Sequence, residues 1–184
     1  MDKTIVSLVL VAALASATMS VASERYAVVS QGFLFALSEP AGWKMDTEGG
    51  KKDGVPVVFY PLGQSWKTAP TVMYANTAAK DCEPSRDLKA FIAAEVNTFK
   101  KRDRGIVVHD GNGIEADGHH AVVKEYSGDR FANHEAVAYI DEQDAFVSIT
   151  LSAKTRKQYK TAFPAFRSLV SSYQYATSSG GCSK

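Results

Sequence analysis

Four histidines, two cysteines and a scatter of carboxylates are the side chains here with the chemistry to catalyse or to bind metal. His109, His119, His120 and His134 lie among Asp110, Glu115, Asp117 and Glu135, the residue types that zinc and copper sites use. Their spacing argues against such a site. His119 and His120 are neighbours in a stretch that alternates like a strand, so they point to opposite faces and cannot share an ion. Either could meet His134 across a hairpin, but two ligands make only a partial site. Exposed histidines flanking turns are the expectation, with no metal and no cofactor. Catalytic signatures are also missing: there is no GxSxG elbow, HExxH, phosphate-binding loop or dinucleotide glycine fingerprint. Gly111-Asn112-Gly113 precedes no helix and so cannot cradle a phosphate on a helix N-terminus. The carboxylates fall in turns, with no pair enclosed by apolar neighbours as glycoside hydrolysis needs. No catalytic residue is expected.

Cys82 and Cys182 lack CxxC spacing and sit in unrelated loops, which weakens a redox or metal reading. In an oxidising compartment an even count points to a structural disulfide between them. It would close a loop of about 100 residues, for which chain entropy gives ~4–5 kcal/mol. Two aromatic residues stand apart from the rest. Trp66 lies in the loop 61–70 and Phe131 in the polar loop 127–133. A large ring in a polar loop either folds back on the core or anchors a partner. Trp66 and Phe131 are therefore the candidate partner-binding residues.

The elements that position these residues read as strands, helix, strands, helix. Stretches 33–37, 43–46, 55–60 and 71–77 carry the alternation or the β-branched and aromatic content of strands. Ser85 is a helix cap, followed by the apolar stripe Leu88, Phe91, Ile92, Val96 and Phe99. Lys100, Lys101, Arg102 and Arg104 crowd the end of that helix, where cations complement its dipole, and Gly105 stops it. This basic run reads as a solvated helix end rather than a patch for an anionic partner. Further strands cover 106–109, 119–126, 135–140 and 145–151. In the last of them Val147, Ile149 and Leu151 point one way, and Ser148 and Thr150 the other. One face of the sheet is thus buried and the other at least partly wet. Tyr159, Phe163, Phe166, Val170 and Tyr173 form the stripe of a final helix that Pro164 must kink or interrupt. A flexible tail is expected from about residue 175.

Composition sets the outer limits. The 184 residues are 45% hydrophobic and 22% charged, with a net charge of +1. That apolar fraction excludes a disordered chain, and the balanced charge offers no field for gripping nucleic acid. Residues 1–23 read as a secretory signal: Lys3, then the apolar run IVSLVLVAALA, then small residues up to Glu24. The run is shorter than the ~20 apolar residues that span a bilayer. Cleavage after Ala22 or Ser23 would leave one globular domain over 24–184, exported to the periplasm or beyond.

The stretch Phe35-Ala-Leu-Ser-Glu-Pro-Ala-Gly-Trp43, together with Val57-Val58-Phe59-Tyr60-Pro61, the segment TVMYANT, the helix DLKAFIAAEV and Glu135–Ile140, resembles the PsbP-like proteins. The pattern spans residues 31–174 and includes no catalytic motif. It lies nearest to the periplasmic DcrB-like branch, whose lipid-attachment cysteine this chain lacks. The resemblance implies an α+β fold, an antiparallel β-sheet flanked by helices as an α/β/α sandwich. It also implies a non-enzymatic accessory protein that binds a protein partner or envelope component. A periplasmic small-molecule or metal carrier using the wet face is the alternative, and an enzyme without a recognisable motif the second.

Overall fold

The computed structural model describes residues 24–178. Strands β1 (Arg25–Ser30), β2 (Phe33–Ser38), β3 (Trp43–Asp46), β4 (Val57–Pro61) and β5 (Thr71–Ala79) come first. Helix α1 (Leu88–Arg102) is followed by β6 (Val107–Asp110), β7 (Ile114–Ala116), β8 (His119–Ser127), β9 (His134–Asp141) and β10 (Ala145–Ala153). Helix α2 (Arg156–Ser171) and β11 (Gln174–Ser178) close the described chain. The strands build an eight-stranded sheet in the order β3-β4-β5-β10-β9-β8-β6, with β7 also paired to β8, and a smaller sheet ordered β1-β2-β11. Every pairing is antiparallel.

The central strand β10 shows why this sheet forms. Val147, Ile149 and Leu151 are each at most 1% exposed and enter the main core with Met73, Ala138 and Phe166. The intervening Ser148 and Ser152 are only half-buried on the opposite face. Period-2 alternation thus sends one side chain set into a dry core and the other toward water. Helix α2 covers the dry face through Ala162, Phe166, Leu169 and Val170. The small sheet extends the same core through Val28, Phe35 and Leu37. Its β1 is tied to β5 where Thr77 Oγ1 donates to Ser30 at 2.8 Å. Helix α1 meets the other face, packing Leu88, Phe91, Ile92, Val96 and Phe99 on Tyr126, Val137 and Tyr139.

Four expectations change. Asp87, not Ser85, caps α1: its carboxylate accepts from the Ala90 N–H at 2.9 Å, while Ser85 accepts from the Asp87 N–H. The charged acceptor sits beside the first helical turn and satisfies it better than a hydroxyl two residues earlier. α1 ends at Arg102 on an extended Asp103, and Gly105 serves a different purpose described below. α2 runs unbroken through Pro164, because buried Ala162 before the proline and Phe166, Leu169 and Val170 after it hold the helix on the core. The flexible tail from about residue 175 gives way to β11. Its pairing satisfies the open edge of β2, and the Tyr173 ring just before it packs tilted against Phe35 with centroids 5.8 Å apart. Strand β1, which the alternation rules did not single out, joins β2 through Gln31 and Gly32, both at positive φ (49° and 82°). That is the backbone of a two-residue hairpin turn.

The expected signal sequence, residues 1–23, and Cys182 lie outside the described residues. Among the described residues no helix is long and apolar enough to cross a membrane.

Candidate functional site

Strand register decides which loops meet. Thr71, Ala153 and His134 stand side by side across β5, β10 and β9. The loop before β5, the loop before β9 and the start of α2 therefore share one end of the sheet. Trp66 and Phe131 both belong to this end, on loops separated by the width of β10. They are held differently. Trp66 is half-buried: its ring meets Tyr74 edge-on at 6.0 Å and its Nε1 donates to Asp53 at 2.7 Å. Phe131 is 67% exposed.

The loop that carries Phe131 is nevertheless tightly built. Asp103 accepts from the backbone N–H groups of Gly105 and Arg130, and these bonds hold its carboxyl below the usual carboxylate range. Asp129 accepts from the Asn133 N–H at 2.7 Å. Gly105 and Gly128 pass so closely that a Cβ on Gly105 would sit 2.7 Å from the Gly128 carbonyl oxygen. Gly128 itself has φ 78°, and Ala132 adopts φ 57°, a conformation L-residues seldom hold without support. Between this loop and the end of α1 lies a cavity of about 230 Å³ walled by Phe99, Arg102, Tyr126, Arg130, Phe131 and Glu135. Phe99 packs edge-on against Tyr126 at 5.3 Å. Arg102 lies over the Phe99 ring and Arg130 over the Phe131 ring at 4.8 Å.

Beside the cavity is the half-open face of the sheet. Register places Tyr74 next to Thr150 and Val137, and Val72 next to Ser152 and Glu135. Glu135 accepts from Ser152 Oγ at 2.7 Å, and burial pushes its carboxyl up. Burial raises the Glu95 carboxyl of α1 as well, opposed by a hydrogen bond from Tyr139. Tyr126 and Tyr139 join hydroxyls at 2.9 Å. Burial first, with the charges of Glu95 and Glu135 adding to it, pushes Tyr74 and Tyr126 up to about 12. Two carboxylates from different elements thus act on the same tyrosines. Of these groups Tyr126 and Glu135 line the cavity, and titratable groups displaced in a concavity mark a functional candidate.

His109 and His134 line one cavity with Glu125 and Glu135, while His119 and His120 lie elsewhere. His119 lies 3.6 Å from Glu142 and His120 2.6 Å from Glu115, at the far end of β8. His134 begins β9 at the loop end, beside Tyr159, so it meets neither of the other two. The hairpin that was to join them instead separates them by most of the length of β8, about 25 Å at the usual rise per residue. Among the described residues no three potential ligands are grouped so that they could hold a metal ion. Glu95 and Arg130 are the site residues that sequence reasoning missed, and Glu135 was singled out only as a neighbour of the histidines. Glu95 interrupts the apolar stripe of α1, and Glu135 opens a strand; both are ordinary positions until register brings them together.

No family model and no curated protein matches the chain. Solved structures do. The solution structure of cyanobacterial PsbP (CyanoP) from Synechocystis sp. PCC 6803 matches 88% of this chain and 98% of its own, at 20% identity and a TM-score of 0.50. The chain has the PsbP-like fold. Two further structures match at lower scores. One is a protein of unknown function, PA94, from Pseudomonas aeruginosa, with 18% identity, coverage of 72% and 85%, and a TM-score of 0.48. The other is from Bacteroides thetaiotaomicron VPI-5482, with 9% identity, coverage of 84% and 49%, and a TM-score of 0.47. On this PsbP-like frame the loop end is where exposed aromatic surface, a cavity and displaced titratable groups coincide.

Proposed function

We propose that the protein is an exported, non-enzymatic accessory protein of the cell envelope that binds a protein partner through its loop end. One observation carries the reading: a phenylalanine that is 67% exposed at the tip of a loop pinned by Asp103, Asp129 and two closely apposed glycines. An apolar ring presented to water on a rigid support loses burial unless a partner covers it. Rigidity also lowers the ordering cost of binding. Trp66 adds a second aromatic edge to the same end. Residues 1–23 act as the export signal in this reading, and a Cys82–Cys182 disulfide fits the oxidising compartment. Non-reducing peptide mapping of the exported protein should recover that linked pair; two free thiols would refute it.

The test of the main reading is affinity capture from envelope extract with the mature protein as bait. A specific protein should be retained by the parent and lost with Phe131→Ala while the variant stays folded. A partner held equally by both would sink the proposal. The second reading, a small-molecule carrier, draws on Glu95 and Glu135 beneath the half-open face. A small ligand that co-purifies with the protein and is lost with Glu135→Gln would favour it.

A further inference from the structure

The two helices place their charges in opposite ways. Asp87 caps α1, and Lys100, Lys101 and Arg102 fill its last turn, the arrangement that a helix dipole favours. Helix α2 does the reverse. Arg156, Lys157 and Lys160 open it, no acidic residue lies in its first turn, and no basic one lies in its last. Arg156 and Lys160 are four residues apart, the spacing at which like charges on a helix repel. Among the described residues none of the three makes an ion pair. Helix stability therefore does not explain them. The loop 61–70 extends the same surface. Lys154 donates its N–H to the Pro70 carbonyl at 3.0 Å, and a cavity of about 550 Å³ has Gln64 and Pro70 on its loop side and Lys157 and Thr161 on its helix side. Lys157 and Thr161 also border an open hollow with Arg156 and Lys160. No carboxylate lines either concavity. None occurs in residues 61–70 or 154–171 either, where Lys67, Lys154, Arg156, Lys157, Lys160 and Arg167 are all exposed. Glu125 and Glu135 lie beside Arg156 and Lys160 in a neighbouring cavity, but Glu135 accepts from Ser152 and Glu125 is half-buried, so six exposed cations face two withdrawn carboxylates. The whole chain is only +1, so everything outside these two segments is net acidic.

We propose that the start of α2 and the loop 61–70 dock on the surface of an anionic phospholipid bilayer, with Arg156, Lys157 and Lys160 among the phosphates and Leu62, 64% exposed, resting in the headgroup layer. This is a second surface, separate from Phe131, whose cavity lies against the end of α1. It goes beyond the partner-binding reading by placing the protein at a membrane. A protein interface needs an apolar centre and is poor in lysine. The exposed side chains of α2 are instead Arg156, Lys157, Lys160, Thr161, Pro164 and Arg167 with two serines, which offer no such centre. A fluid layer of phosphates needs no matched partner, and each Lys or Arg near it strengthens attachment about fivefold. A long polyanion that wrapped the molecule would run onto its net-acidic remainder, whereas a planar surface meets only the cationic side.

Co-sedimentation of the mature protein with vesicles tests this, using phosphatidylcholine alone and phosphatidylcholine containing about one third phosphatidylglycerol. Partitioning onto the anionic vesicles should be at least about tenfold stronger and should fade as salt rises toward about 0.5 M. The triple variant Arg156→Gln, Lys157→Gln, Lys160→Gln should lose that difference. It should melt at or slightly above the parent, because the replaced charges repel one another and oppose the dipole. A matched triple at the end of α1, Lys100→Gln, Lys101→Gln, Arg104→Gln, removes the same charge from the other side of the sheet and should keep binding within about threefold. Equal binding to the two kinds of vesicle overturns the proposal. So does an equal loss in both triples, which would mean attraction to net charge alone. Release by millimolar inorganic phosphate at constant ionic strength would assign the cations to a soluble anion and overturn it too. An envelope protein that is captured by the parent and lost with the α2 triple, in the absence of vesicle binding, would give the surface to a protein instead. Failed vesicle binding beside successful Phe131-dependent capture ends this proposal and leaves the partner-binding reading in place.

Discussion

Leu151 and Ser152 are adjacent on β10 and occupy different environments. Leu151 is fully buried among the residues that α2 covers. Ser152, one residue later, faces the half-open side and donates to a glutamate. The contrast is local, since Phe146, Thr150, Val137 and Tyr139 on the α1 side are buried while Ser148 and Ser152 are half-buried. One face is closed by α2 and the small sheet with aliphatic and aromatic side chains. The other is only partly roofed by α1 and the loop with Trp66, and keeps Ser148, Thr150, Ser152, Glu135 and three tyrosines. The polar side lies beside the loops that hold Phe131, so the face under α2 carries most of the buried apolar contact and the other borders the candidate site.

The largest effect should come from attacking the closed face. Leu151→Ala removes a fully buried side chain from tightly packed surroundings and should cost about 3–4 kcal/mol in denaturant unfolding. A loss below about 1 kcal/mol would mean that the core on the α2 side tolerates vacancy, and the contrast between faces would fail.

Trp66 sits at the border between the two regimes. It contacts Tyr74 edge-on and bonds Asp53, yet it is only half-buried. Trp66→Ala should therefore cost about 2 kcal/mol, from partial burial plus one lost hydrogen bond. A cost matching Leu151→Ala would move Trp66 into the core and leave Phe131 as the aromatic contact at this end.

The contrast also has a pH signature. Burial raises Glu95 and Glu135 above their usual value of 4.5. A carboxyl raised in the fold binds more protons there than in the unfolded chain. Its stabilisation is complete below the unfolded value and is lost as pH rises through the folded one. Asp46 and Asp103 are lowered, by Tyr60 and by backbone N–H groups respectively, so their contributions vanish only on acidification. Glu135→Gln should flatten the decline of stability above the ordinary glutamate range, measured by urea unfolding at several pH values, and leave the acid limb unchanged. An unaltered upper limb would show that Glu135 is hydrated in the fold.

Much of this was legible in advance, for identifiable reasons. Val147, Ile149 and Leu151 against Ser148 and Thr150 announce a two-sided strand by alternation alone. The PsbP-like fold followed from the order of elements. Local capping was misread because Ser85 and Asp87 are both good caps, and only the geometry of the first turn chooses between them. β11 depends on an edge of β2 more than a hundred residues earlier, which no local pattern reveals. The site was half visible. Phe131 stands out as a ring in a polar loop, but Arg102 and Arg130 meet only because α1 ends where β8 does. His134 seemed within reach of His119 across a hairpin, and the register places them at opposite ends.

The smallest expected effect is the most informative about the open side. Phe131 is mostly in water, and its loop is secured by Asp103, Asp129 and the Gly105–Gly128 contact rather than by the ring itself. Phe131→Ala should then change stability by no more than about 0.5 kcal/mol, as surface substitutions do. The lost contact with Arg130 is exposed and worth little more than that. A thermal melt beside the parent suffices, with no partner in hand. If the variant loses as much as Trp66→Ala, the ring is supporting the loop, and its exposure no longer signals a surface kept for a partner. If it melts with the parent, the fold does not need the phenylalanine, and its presence at the tip of a rigid loop calls for a partner to cover it.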